Sequence, residues 1–230
     1  MIKYLLVMHM KKTIKILNNT LTTLRLIASL FMINYVNVFG FKYAALISLL
    51  LFLTDLIDGF VARYFGVQSF YGCLMDAVSD KVLSIISLII LSKYSILVLF
   101  PLIIEILILI TNILLYRNGY NVKSFMSGKI KAWGIGLLVV GGYLSVGILN
   151  NPKTILIILS ILSTCFSTVA FLDYLKTLIN SYKYKSKNKT KDKKKNKLKN
   201  IKELYFSFFD TNYYLKNKDE SILKLFYKGN

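Results

Sequence analysis

Histidine and cysteine are almost missing from this chain, with one His and two Cys among 230 residues. Cys73 and Cys165 lie far apart, each inside an apolar run, and His9 has no His or Cys close to it. That excludes a disulfide framework, a CxxC metal site and a histidine-based zinc site. Acidic residues are scarce as well. Before Asn180 there are six: Asp55, Asp58, Asp76, Asp80, Glu105 and Asp173. The start, MIKYLLVMHMKKTIKILNNT, has no small-residue cleavage site after a clean apolar region, and its apolar patch is too short for a span. It reads as a short interfacial helix rather than a cleaved signal peptide.

What the chain has in quantity is apolar sequence, 55% of its residues, with a mean hydropathy of +0.55. The apolar residues come in long runs rather than in the short alternations of a soluble core. A run of about 20 such residues crosses a hydrocarbon layer of roughly 30 Å as a helix. The pattern predicts an all-α polytopic membrane protein with six spans, near Leu21–Val38, Tyr43–Val61, Gly72–Leu91, Leu97–Tyr116, Ala132–Leu149 and Thr154–Ile179. Lys and Arg concentrate in alternate loops. Residues such as Lys11, Lys15, Arg63, Arg117 and Lys129 fall on one side, and only Lys42, Lys93 and Lys153 on the other. By the positive-inside rule, both termini and the aspartate-rich loop face the cytoplasm.

Composition changes near Asn180, which divides the chain into a membrane domain, 1–180, and a tail, 181–230. The stretch SYKYKSKNKTKDKKKNKLKNIK carries 11 lysines and a single acid, Asp192. Such charge density predicts disorder or a place on the membrane surface. A cytoplasmic polybasic segment after a span is drawn to anionic lipid head groups, at about 1 kcal/mol per lysine. Nucleic acid would use the same charges, but no nucleic-acid-binding fold or ordered aromatic platform accompanies them.

Four of the six acids before Asn180 stand in one window, TDLIDGFVARYFGVQSFYGCLMDAVSDK. Asp55 and Asp58 are three apart and share a helix face; Asp76 and Asp80, four apart, share a face of the next helix. The turn between the helices lets the pairs converge. Ionised groups in spans cost roughly 2.5–3.5 kcal/mol each and ordinarily face a functional cavity. Carboxylates alone are hard oxygen ligands, suited to Mg²⁺, Mn²⁺ or Ca²⁺, and such a set points to one or two ions holding a phosphate-bearing substrate. Gly59 and Gly72 allow close approach, and Arg63 can hold phosphate oxygens in a bidentate way. The alternative is plain helix-end capping, with Asp80 salt-bridged to Lys81 or Arg63.

Read as Asp55-x2-Asp58-Gly59-x2-Ala62-Arg63-x8-Gly72-x3-Asp76-x3-Asp80, the window matches the signature of the CDP-alcohol phosphatidyltransferase family, and residues 15–180 resemble that family's six-helix domain. The resemblance implies transfer of a phosphatidyl group from CDP-diacylglycerol to an alcohol, with release of CMP. It also implies that Asp55, Asp58, Asp76 and Asp80 hold one or two divalent ions, Mg²⁺ or Mn²⁺, and that Asp80 is the general base. Gly59, Ala62 and Arg63 would line the CDP pocket, with Gly72 keeping the helices close. Homodimers are common in the family.

NTLTTLR, Asn19 to Arg25, is similar to the N-x-L-T-x-x-R segment of the phosphatidylglycerophosphate synthase subfamily, and Gly128-Lys129-x-Lys131 to its G-K-x-K-T segment. That similarity implies glycerol 3-phosphate as acceptor, with Lys129 and Lys131 on its phosphate. Glu105 aligns with an Arg-Glu pair there, although the Arg position is Ile104 and a later Arg position is Asn112. The alternatives are another acceptor (phosphatidylglycerol, inositol or serine) or a non-catalytic membrane anchor with a lipid- or nucleic-acid-binding tail.

Overall fold

A computed structural model describes residues 2–117, 126–149, 151–187 and 201–217. Among them there are nine α-helices and no strand. They are α1 (Ile2–Leu30), α2 (Met32–Phe39), α3 (Phe41–Tyr64), α4 (Phe70–Ser92), α5 (Leu99–Arg117), α6 (Met126–Ile148), α7 (Lys153–Lys187), α8 (Ile201–Phe209) and α9 (Thr211–Asn217), with a short 3₁₀ turn, Ile96–Val98, leading into α5. The lysine-rich run from residue 188 to 200 lies outside the described residues.

Four helices, α3, α5 (with its 3₁₀ lead-in), α6 and α7, are long and apolar enough to cross a membrane. The first expected span is broken. α1 and α2 meet at Phe31, whose φ of −82° and ψ of 4° depart from helical values, and the two axes bend by 58°. Taken together they are apolar enough for a fifth span. The start of the chain is also not a separate interfacial helix, because α1 runs unbroken from Ile2 to Leu30. α4 is the sixth long helix, but any stretch of it long enough to span includes Asp76, Asp80 and Lys81.

The bundle is built around α6, which packs on α3 and α7, while α4 packs on α1, α5 and α6. Met32, Ala44, Leu88, Leu91, Val98, Leu138, Val139, Tyr143 and Leu156 form its main core. Other large apolar side chains, Leu50, Ile103, Ile113, Ile158 and Leu172 among them, point outward and are exposed. An apolar exterior of this extent suits lipid rather than water.

Close helix packing in a membrane rests on small residues, since lipid is as apolar as leucine. Gly147 of α6 is the sharpest case: a Cβ there would sit 2.7 Å from the backbone nitrogen of Lys42 in α3. Backbone cannot swing aside as a side chain can. Gly147→Ala is expected to force α6 away from α3 at a cost of about 1–3 kcal/mol. A fall in Tm of several degrees in detergent would register it.

The turn between α3 and α4 fixes the geometry of the acidic window. Gly66 adopts φ +61°, a left-handed conformation that favours glycine. Its N–H donates to the Arg63 carbonyl at 3.3 Å, and the Val67 N–H to the Ala62 carbonyl at 3.0 Å, the paired bonds of a Schellman helix end. Three residues later Ser69 caps α4, its hydroxyl accepting from the Gly72 N–H at 3.2 Å. α3 and α4 thus stop and start within five residues, at one end of the bundle.

Candidate active site

Asp55 and Asp58 lie in the last three turns of α3, and Asp76 lies two turns into α4. Each of the three offers one carboxylate oxygen, and those oxygens lie within 4.8 Å of one another. Asp58 is buried, at 3% exposure, whereas the Asp55 and Asp76 side chains keep 23% and 39% of their surface open. Asp80 stands one turn further along α4, half-buried and outside that trio. Lys81 turns to Glu105 instead, so Asp80 has no salt bridge among the described residues. The capping alternative, with Asp80 tied to Lys81 or Arg63, is not what the structure contains.

α1 supplies the charge that holds the trio. Arg25, with a side chain only 1% exposed, donates from Nη1 to Asp55 and, at 3.0 Å, to Asp76, and from Nη2 to Asp58. In the sequence Arg25 stands out only as the last residue of the N-x-L-T-x-x-R segment, with no role in the acidic site. The signal was there: one arginine inside LTTLRLIASLF needs a buried counter-charge, and carboxylates are the only candidates.

The expected glycines sit at close approaches. A Cβ on Gly72 would meet the Asn19 Oδ1 of α1 at 3.0 Å, so this glycine lets α1 and α4 close on each other. A Cβ on Gly59 would lie 3.2 Å from Nη1 of Arg63, whose side chain curls back over that position. Arg63 is exposed and makes no salt bridge among the described residues, while Ala62 is buried. Lys129 and Lys131 are not brought together. They are two residues apart on α6, so they face different ways: Lys129 is exposed and Lys131 is buried.

Lys131 and Lys81 both close on Glu105 of α5. Lys131 Nζ lies 2.8 and 2.7 Å from the two Glu105 oxygens, and Lys81 Nζ lies 2.6 Å from one of them. Two ammonium groups against one carboxylate leave one positive charge beside Asp80. The start of α6 is further pinned to α7 by Ser127, which donates to Asp173 at 2.5 Å.

A second feature missed from the sequence lies where the tail returns. Phe209 of α8 stacks on Tyr71, with ring centroids 4.7 Å apart, and Tyr214 of α9 meets Phe70 edge-on at 4.9 Å. Lys15 of α1 donates to the Phe209 carbonyl. α8 and α9 therefore clasp the first turn of α4, next to Gly72 and a turn and a half from Asp76. Phe209→Ala is expected to loosen the clasp, since an aromatic pair contributes about 0.5–1.5 kcal/mol beyond its buried area. Amide exchange across residues 201–217 should speed up severalfold while that of α4 stays slow.

Hard oxygen donors from three side chains, one buried and two partly open, suit a divalent cation, so the donor set fits a metal. An apolar helix bundle with such carboxylates gathered at one end is the architecture of a membrane enzyme that handles phosphate groups. The chain belongs to the CDP-alcohol phosphatidyltransferase family, whose model matches residues 15–171. It is an integral membrane enzyme. Over 143 residues it is 32% identical to the CDP-diacylglycerol–glycerol-3-phosphate 3-phosphatidyltransferase of Wigglesworthia glossinidia brevipalpis, covering 58% of this chain and 75% of that one. It is similar to the Aquifex aeolicus protein of the same name, 28% identical over 163 residues, covering 68% and 92%. A third relative with that name, from Cereibacter sphaeroides, is 35% identical over 81 residues, covering 34% of this chain and 37% of that relative.

Proposed function

We propose that the protein transfers the phosphatidyl group of CDP-diacylglycerol to glycerol 3-phosphate, giving phosphatidylglycerophosphate and CMP. The observation that carries this reading is the acidic window: every fixed residue of the family signature is in place, and three of its carboxylates converge across α3 and α4. The names of the three relatives support the acceptor.

Asp55, Asp58 and Asp76, with Asp80 as the fourth carboxylate, would hold the divalent ion, Mg²⁺ or Mn²⁺. The bound ion supplies charge neutralisation on the diphosphate and on departing CMP. Asp80 takes the proton of the acceptor hydroxyl. That hydroxyl oxygen bonds to the phosphorus bearing diacylglycerol, the bond from this phosphorus to the bridging oxygen breaks, and CMP leaves with the electron pair. A positioned base of this kind contributes about 10²–10⁴-fold. Arg63, its guanidinium lodged over Gly59, offers a fork for phosphate oxygens, and Gly59 and Ala62 lie on the CDP side of the site in this reading. Lys129 and the net positive Lys81–Glu105–Lys131 group attract the acceptor phosphate.

The site and both termini face the cytoplasm in this reading, where the nucleotide stays wet while the acyl chains remain in lipid. An acceptor panel tests it. CMP release by purified protein should require glycerol 3-phosphate and fail with glycerol, inositol, serine or phosphatidylglycerol. Release that needs one of those instead would move the assignment to that acceptor.

A further inference from the structure

The guanidinium of Arg25 and a divalent ion compete for the same oxygens. Arg25 reaches Asp55, Asp58 and Asp76, and these three offer the converging oxygens of the candidate metal site. Carboxylates packed this closely repel one another unless a cation stands among them. In the structure that cation is Arg25, held on α1 with its side chain only 1% exposed.

The fit is tight but incomplete. Arg25 uses Nη1 and Nη2 on the aspartates, and its Nε, although buried, has no hydrogen-bond partner among the described residues. A guanidinium dedicated to a permanent structural pair ordinarily satisfies all its donors. This one grips the carboxylates by its tip alone. Asp55 and Asp76, the two partly open members of the trio, share Nη1, whereas the buried Asp58 holds Nη2 by itself. A cation bound by Asp55 and Asp76, the open pair, would need the oxygens that the shared Nη1 now holds.

We propose that Arg25 is a positioning residue that stands in for the metal: it holds the three carboxylates together in the metal-free protein and, by competing for them, sets how tightly the divalent ion binds. Placing the stand-in on α1 ties the readiness of the site to the docking of α1 on α3 and α4. It also keeps the carboxylates from splaying or capturing stray cations before the ion arrives. The inference rests on the reading of the trio as a divalent-cation site.

Mn²⁺ binding to the detergent-purified full chain tests it without reference to turnover. With Arg25→Gln, Mn²⁺ is expected to bind at least about tenfold more tightly than to the wild type, because one competing positive charge has gone. The metal-free Tm should fall, and saturating Mn²⁺ should raise it by more than in the wild type. Arg25→Lys, which keeps the charge but has no fork with which to span three carboxylates, should lie between the two; it also serves if Arg25→Gln does not fold. Equal or weaker Mn²⁺ binding by both variants would overturn the competition while leaving the metal site standing. No Mn²⁺ binding by the wild type would overturn the metal reading and this inference with it.

Discussion

Replacing Asp80 with asparagine is expected to lower CMP release about 10²–10⁴-fold while leaving the protein folded. The exchange keeps shape and polarity and removes only basicity and charge. Asp80 carries no salt bridge among the described residues and is not one of the carboxylates gripped by Arg25. Its loss should therefore not unseat a helix, and Tm should remain close to the wild-type value. Asp58→Asn should differ, because Asp58 is buried against Arg25 and its loss strips the guanidinium of a partner. A variant set in which Asp80→Asn lost stability along with activity would return Asp80 to a structural role.

Glu105→Leu is expected to be the most destabilising single change in the bundle. It would leave Lys131, 7% exposed, without a counter-charge and with Lys81 beside it. Removing one partner of a buried ion pair typically costs 3–5 kcal/mol, or roughly 10 °C in Tm for a chain of this size. Removing both partners is milder, because an apolar pair of similar volume packs in their place. Glu105→Leu combined with Lys131→Met should thus recover most of the lost Tm. Lys81 keeps 20% of its side-chain surface and can turn outward. Activity separates the two roles of Lys131: if it also draws the acceptor phosphate, the double variant stays stable yet shows a raised KM for glycerol 3-phosphate.

The bundle was legible in the sequence because crossing a membrane demands runs of a set length, and those runs are visible without knowledge of what they pack against. The bend at Phe31 was not, for no proline or glycine marks it. The convergence of Asp55, Asp58 and Asp76 followed from the spacing of three on α3 and the short turn to α4, whereas the spacing of four on α4 did not bring Asp80 into the trio. A buried arginine announces that it needs a carboxylate, but which partners meet across the fold was beyond reach. Nothing local tells Arg25 that its partners are 30, 33 and 51 residues away, or that Lys81 and Lys131 will share Glu105. The same holds for α8 and α9. Their aromatic residues have no clean period, and only the stacking of Phe209 on Tyr71 shows where they go.

The most direct measurement is the stoichiometry of transfer. Purified protein would receive CDP-diacylglycerol, a divalent ion and glycerol 3-phosphate labelled in its carbon skeleton, with CMP and lipid-extractable label counted together. One labelled lipid is expected for each CMP released, with neither formed by Asp80→Asn above its small residual rate. CMP appearing without label in the lipid phase would mean that water or another alcohol takes the phosphatidyl group, and would contradict the assignment.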